Sequence, residues 1–149
     1  MGIQATTTRR GVPAISLFVD TSVWSLVLRR DSPPKRAETL RLGRALEGGE
    51  GVYVTGLVLQ EILQGVRGPR FRERIVSDLS LLPFLVPDRV DHVEAAGLRN
   101  ECARKGVQIG TIDALLAQLC IRHGLDMLTV DEDFKRIARH FPLSVWGPS

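Results

Sequence analysis

The chain has 149 residues, which suits one domain built around one core. Hydrophobic residues make up 44% and charged residues 25%, the balance of an ordinary soluble globular domain rather than a disordered or fibrous chain. The net charge of +3 and the sequence pI of about 9.3 tilt the chain towards polyanionic partners without singling one out. The two cysteines, Cys102 and Cys120, form no CxxC pair and no metal-ligand spacing, which excludes a disulfide framework. Cys120 lies in an apolar segment and reads as a buried thiol. His92, His123 and His140 stand singly and support neither a zinc site nor a histidine-based triad. No apolar run is long enough to cross a membrane, and the first one is too short for a signal-peptide core. Residues 1–14 read as a loose tail, residues 15–149 as a single domain, and the protein as cytoplasmic.

Residues 15–20 are continuous, short and apolar, which predicts a buried strand. Thr21 and Ser22 then start a short helix over 23–28, broken by Asp31-Ser32-Pro33-Pro34. Over 35–46 the spacing of Ala37, Leu40, Leu42, Ala45 and Leu46 predicts an amphipathic helix, ended by Gly48-Gly49. A second strand follows at 52–55 and a helix at 56–66. Gly68-Pro69 breaks that helix, and another runs over 71–82. Residues 83–86 predict a short third strand. Asp88 caps a helix that reaches about Arg104, with Val93, Ala96, Leu98 and Cys102 facing inward. After a loop at 105–110, Thr111 is the expected N-cap of a helix over 112–122, and Gly124 ends it. Residues 126–130 predict a fourth strand, Asp131 opens a short helix to His140, and 143–145 predict an edge strand. Strands alternating with helices argue for a mainly parallel sheet covered on both faces.

Four acidic residues stand where such a sheet would bring them together: Asp20, Glu61, Asp113 and Asp131. Ligands bind at the carboxyl ends of parallel strands, and Asp20 and Asp131 each end an apolar run. Each is equally a natural helix N-cap. Asp113 lies in a helix that is apolar all round and therefore buried. A carboxylate there needs a partner, either an arginine or a metal, although the helix dipole helps. Glu61 sits among Leu57, Val58, Leu59, Ile62 and Leu63, as part of the same set or as a solvated rim residue. Asp133 is a fifth candidate, as a metal ligand, a helix cap or a residue that orients a ligand. The hydroxyls of Thr21, Ser22 and Thr129 neighbour these acids. Carboxylates converging on one cleft cannot all stay ionised and unpaired. A hard divalent cation, Mg²⁺ with Mn²⁺ as the alternative, is the simplest way to hold them, and it suits phosphate substrates.

The stretches Phe18-Val19-Asp20-Thr21-Ser22-Val23-Trp24, Thr55-Gly56-Leu57-Val58-Leu59-Gln60-Glu61-Ile62-Leu63-Gln64-Gly65, Asp113-Ala114-Leu115-Leu116-Ala117 and Leu128-Thr129-Val130-Asp131-Glu132-Asp133-Phe134 resemble, in that order, the motifs of PIN-domain ribonucleases. Within that superfamily the resemblance is to VapC toxins of toxin–antitoxin pairs. It implies a three-layer α/β/α sandwich with a central, mainly parallel sheet. It also implies a Mg²⁺- or Mn²⁺-dependent endoribonuclease that hydrolyses RNA, forms a homodimer and is silenced by a VapB-type antitoxin. Asp20, Glu61, Asp113 and Asp131 fall on the family's acidic metal site, and Asp133 on the second acid of its Asp-x-Asp-Phe pattern. The chain departs from the family in a longer tail before residue 15 and in Val130, where a basic residue is common.

A haloacid-dehalogenase-like phosphatase would need a second Asp where Ser22 stands, and a receiver domain would need paired acids at its first strand. The non-enzyme alternative is a PIN-like module that binds RNA or protein without cutting. Basic residues placed to follow an RNA backbone are Arg29, Arg30, Arg67, Arg70, Arg72, Arg74, Arg104 and Lys105. Each alone also reads as a solvated charge. Leu40, Leu42, Leu46, Leu57, Leu59, Ile62 and Leu63, on the helices of 35–66, are the expected dimer or antitoxin surface.

Overall fold

Ser16–Val19 forms β1, the central strand of the sheet. Leu17, Phe18 and Val19 are fully buried, because helices cover both faces of an interior parallel strand. The computed structural model describes residues 16–28 and 35–148. The expected tail over 1–14, the breaker at Asp31–Pro34, and Arg29 and Arg30 lie outside the described residues.

The chain continues through α1 (Thr21–Val27), α2 (Ala37–Glu47), β2 (Gly51–Thr55), α3 (Gly56–Gln64), α4 (Pro69–Leu79) and β3 (Phe84–Leu85). It then runs through α5 (Arg89–Arg104), α6 (Thr111–His123), β4 (Asp126–Leu128), α7 (Glu132–Ala138) and β5 (Ser144–Val145). The strands pair in parallel in the order β3-β2-β1-β4-β5. The first three strands are therefore laid down in one direction from β1. The chain then crosses back, by way of α5 and α6, to lay β4 and β5 on the other side. This reversal leaves a crevice at the carboxyl ends of β1 and β4, the usual ligand position in open α/β sheets.

Most predicted elements are present, with shifts at their ends. The strand expected over 126–130 stops at Leu128. The helix at 111 starts one residue early: Gly110 takes the N-cap position with no side-chain cap, and Thr111 is already helical. The first helical bond runs from the Ala114 N–H to the Gly110 carbonyl at 3.1 Å. Val93 and Ala96, expected inside, are exposed. The inward face of α5 is instead Asp91, Ala95, Leu98 and Cys102. That spacing follows the helical repeat but includes a charged residue, so a search for apolar positions misses it. Asp91 is buried because it is fully partnered. One oxygen accepts the Asp88 N–H at 2.8 Å, and the other accepts from Arg122 at 2.8 Å.

α6 is buried along most of its circumference, at Ala114, Leu115, Leu116, Ala117, Leu119 and Cys120. Ile112 is its exposed apolar residue. Gly124 ends it in the left-handed conformation at φ 63°, which glycine adopts without a Cβ clash. Both cysteines are free and buried, and burial pushes their thiols up, that of Cys120 far up.

Candidate active site

Asp20 leaves β1 at the crevice. Its backbone N–H continues the β1–β4 ladder, donating to the Leu128 carbonyl at 3.0 Å. The residue is only 7% exposed. Three donors converge on its Oδ2: the Ser22 N–H at 3.3 Å, the Ser22 hydroxyl at 2.7 Å and the Thr129 hydroxyl at 2.9 Å. Asp20 is therefore the N-cap of α1 and, at the same time, a carboxylate locked in one orientation. The hydroxyls that hold it are themselves held. Ser22 Oγ accepts the Val130 N–H at 3.2 Å, and Thr129 Oγ1 accepts the Asp131 N–H at 2.9 Å. Thr129, fully buried just after β4, links the two strand ends that the topology brings together.

Asp131 caps α7, accepting the Asp133 N–H at 2.9 Å on its Oδ1. Asp133 Oδ1 accepts from Arg136, one turn along α7, at 2.6 Å. Both caps foreseen at Asp20 and Asp131 exist, and neither uses both oxygens. Asp113 enters from the first turn of α6. One carboxylate oxygen each of Asp113, Asp131 and Asp133 lie within 4.8 Å of one another. Among the described residues no arginine or lysine pairs with Asp113, so the simple buried ion pair is not what holds it. Its pKa is raised from 3.8 to about 6, first by burial and then by the negative charges of Asp131, Asp20, Asp133 and Glu61. Four neighbouring negative charges acting on one carboxyl are the electrostatic signature of an acidic cluster.

Glu61 occupies the rim. It is exposed on α3 and is tethered by the Thr21 hydroxyl, which donates to its Oε1 at 2.8 Å. The four acids and Asp133 thus share one end of the sheet. Asp113, Asp131 and Asp133 are close enough to share an ion, with Asp20 beside them and Glu61 at the edge. Arg136 lies outside the set read from the sequence; its spacing of three residues from Asp133 on a helix was the available signal. All the donors offered inside the cluster are oxygens, which suits a hard divalent cation.

Residues 17–140 match the PIN domain. Ribonuclease VapC11 of Mycobacterium tuberculosis is 32% identical over 125 residues, covering 83% of this chain and 92% of that protein. Ribonuclease VapC1 of Rickettsia felis is 32% identical over 96 residues, covering 57% of this chain and 69% of that protein. Among solved structures, VapBC2 from Rickettsia felis bound to a DNA fragment from their promoter superposes with a TM-score of 0.66 at 20% identity, covering 89% of this chain and 98% of that chain. The chain belongs to the PIN-domain family and, within it, groups with the VapC ribonucleases.

Proposed function

We propose that the chain is a divalent-metal-dependent endoribonuclease that acts as the toxin of a VapBC-type toxin–antitoxin pair. The observation that carries this reading is the acidic cluster at the sheet's switch point: three carboxylate oxygens within 4.8 Å, beside an oriented Asp20. The relatives named VapC ribonucleases supply the substrate class.

In this reading Asp113, Asp131, Asp133 and Asp20 hold the cation, Mg²⁺ or Mn²⁺, and Glu61 completes the set from the rim. When bound, the cation supplies the positive charge that polarises a scissile phosphate and lowers the pKa of water. The chain's own residues do the positioning. Asp20 keeps its Oδ1 for the site because its Oδ2 is saturated by three donors. Asp131 and Asp133 each spend Oδ1 on α7, leaving Oδ2. A bound cation would offset the burial and the neighbouring negative charge that raise the Asp113 pKa to about 6. Ser22 and Thr129 keep the β1 and β4 ends in register so that these oxygens converge.

Two partners follow from the same reading. A VapB-type antitoxin silences the enzyme, and a second copy makes a homodimer. The apolar surface expected on 35–66 is smaller than its composition suggests. Leu42 and Ile62 are buried, Leu57, Leu59 and Leu63 are partly buried, and Leu40 and Leu46 are the well-exposed ones. Leu81, Phe84, Val86, Val90 and Val93 are all exposed within one short segment. That segment carries the outer strand β3, whose free edge and apolar side chains fit self-association. We assign the dimer contact there and the antitoxin to the Leu40–Leu46 side. No helix among the described residues is long and apolar enough to cross a membrane.

The decisive experiment is cleavage of a mixed RNA pool by the purified protein with Mg²⁺, with EDTA, and with Asp20→Asn. Cleavage should need the metal and fall roughly a hundredfold or more in the variant. Metal-independent cleavage, or none at all by the parent protein, rules the reading out.

A further inference from the structure

We propose that Arg70 and Arg74, on α4, hold the backbone of single-stranded RNA as it leaves the acidic site; this rests on the ribonuclease reading above. Two cavities carry the inference. One, of about 420 Å³, runs from Glu61 past Ile62 to Arg67 and Phe71. The other, of about 550 Å³, runs along α4 past Arg70, Arg74 and Asp78. They share Leu28 and Phe71. Together they make a groove from the rim of the acidic site along α4.

Ile75 and Leu79 anchor α4 in the core, which turns Arg70 and Arg74 to the groove. An i, i+4 pair lies about 6 Å apart along a helix, the order of the spacing between successive phosphates of a single strand. Both arginines are exposed. Among the described residues neither forms an ion pair, whereas Arg36, Arg41, Arg104, Arg122 and Arg136 each do. Residues 67–79 carry four arginines against two acids, Glu73 and Asp78. An unpaired surface arginine is ordinarily just solvated. Two of them one turn apart, facing a groove that begins at a phosphodiester-cutting site, match a polyanion better than an apolar helix. Phe71 lines both cavities and joins them into one path.

The test is fluorescence anisotropy with a short mixed-sequence single-stranded RNA in EDTA, titrated at several salt concentrations. Arg70→Ala/Arg74→Ala should weaken binding about tenfold and flatten the salt slope by about 1.4, two phosphate contacts at roughly 0.7 each. The KM for cleavage with Mg²⁺ should rise while kcat stays near that of the parent. Arg70→Lys/Arg74→Lys should restore most of the affinity, since a phosphate accepts a point charge. Arg44→Ala/Arg139→Ala, which removes equal charge elsewhere, should change little. Hydrogen exchange should find α4 protected by the RNA. Unchanged affinity and slope in the alanine pair, with the parent still cutting RNA, overturns this proposal alone. An equal loss in the control pair overturns it too. Protection of α4 in a toxin–antitoxin complex, with none from RNA, gives the groove to the antitoxin instead. A parent protein that neither binds nor cuts RNA removes the ribonuclease reading and this proposal with it.

Discussion

At Asp20 one side chain does two jobs that use different oxygens. Oδ2 takes three hydrogen bonds from Ser22 and Thr129, and Oδ1 is left for the site. Asparagine can keep the first role with its carbonyl oxygen and loses the second. Asp20→Asn should therefore lose cleavage and bind Mg²⁺ more weakly while unfolding within about 1 kcal/mol of the parent in urea. Asp113 makes the opposite case, because its pKa is raised from 3.8 to about 6. The folded chain binds this proton more tightly than the unfolded chain does, so ionising Asp113 costs stability. The cost is absent below the unfolded value, grows between the two values and is fully present above the folded one. Metal-free protein should gain stability as pH falls from about 7 to about 5. Asp113→Asn should stabilise it at neutral pH by on the order of 1 kcal/mol, the shift being discounted for partial solvation. Thermal melts in EDTA across that range check the sign. Added Mg²⁺ should then raise the Tm of the parent more than that of Asp113→Asn.

At the scale of elements, the α5–α6 pair illustrates how a charge can be part of a core. Asp88 and Asp91 form a capping box at the start of α5, and Arg122, in the last turn of α6, bridges both at 3.2 and 2.8 Å. The box closes the end of one helix while the arginine ties it to its neighbour. This pair carries the chain between β3 and β4, so its packing sets where Asp113 enters the crevice. Asp91→Ala removes the reciprocal cap and leaves the Asp88 N–H without its acceptor. A loss of about 2 kcal/mol in urea unfolding is expected. RNA cleavage per folded molecule should be unchanged, since Asp91 is not in the acidic cluster.

For the whole molecule, the reversal of strand order is the feature that makes a site. Residues from β1, α3, α6 and α7 reach one end of the sheet only because β4 pairs with β1 rather than with β3. The same topology leaves β3 at an outer edge with Phe84 half exposed, at 50%. If that edge is the dimer contact, Phe84→Glu with Val93→Glu should convert a dimer into a monomer by light scattering. The separated protomer should stay folded, because both side chains are exposed in the single chain. A parent protein that is monomeric at micromolar concentration removes the dimer from the account.

Local features of the chain were enough to read most of the elements. A continuous apolar run such as Leu17-Phe18-Val19 can be buried on two faces only inside a parallel sheet. Asp20, Asp88 and Asp131 mark helix starts because their oxygens accept the free N–H groups of a first turn. Gly124 marks an end because the left-handed turn favours it. Motif order then grouped Asp20, Glu61, Asp113, Asp131 and Asp133. The separate jobs of these acids are legible only in three dimensions. Thr129 reaches Asp20 across 109 positions of sequence, and Thr21 reaches Glu61 across 40. Glu61 is at the rim, Asp133 leans on Arg136, and the inward face of α5 holds Asp91 and Ala95 where Val93 and Ala96 were expected. Periodicity reports whether a residue faces the interior. Which distant residues meet there depends on strand order and helix packing, which only the folded chain decides.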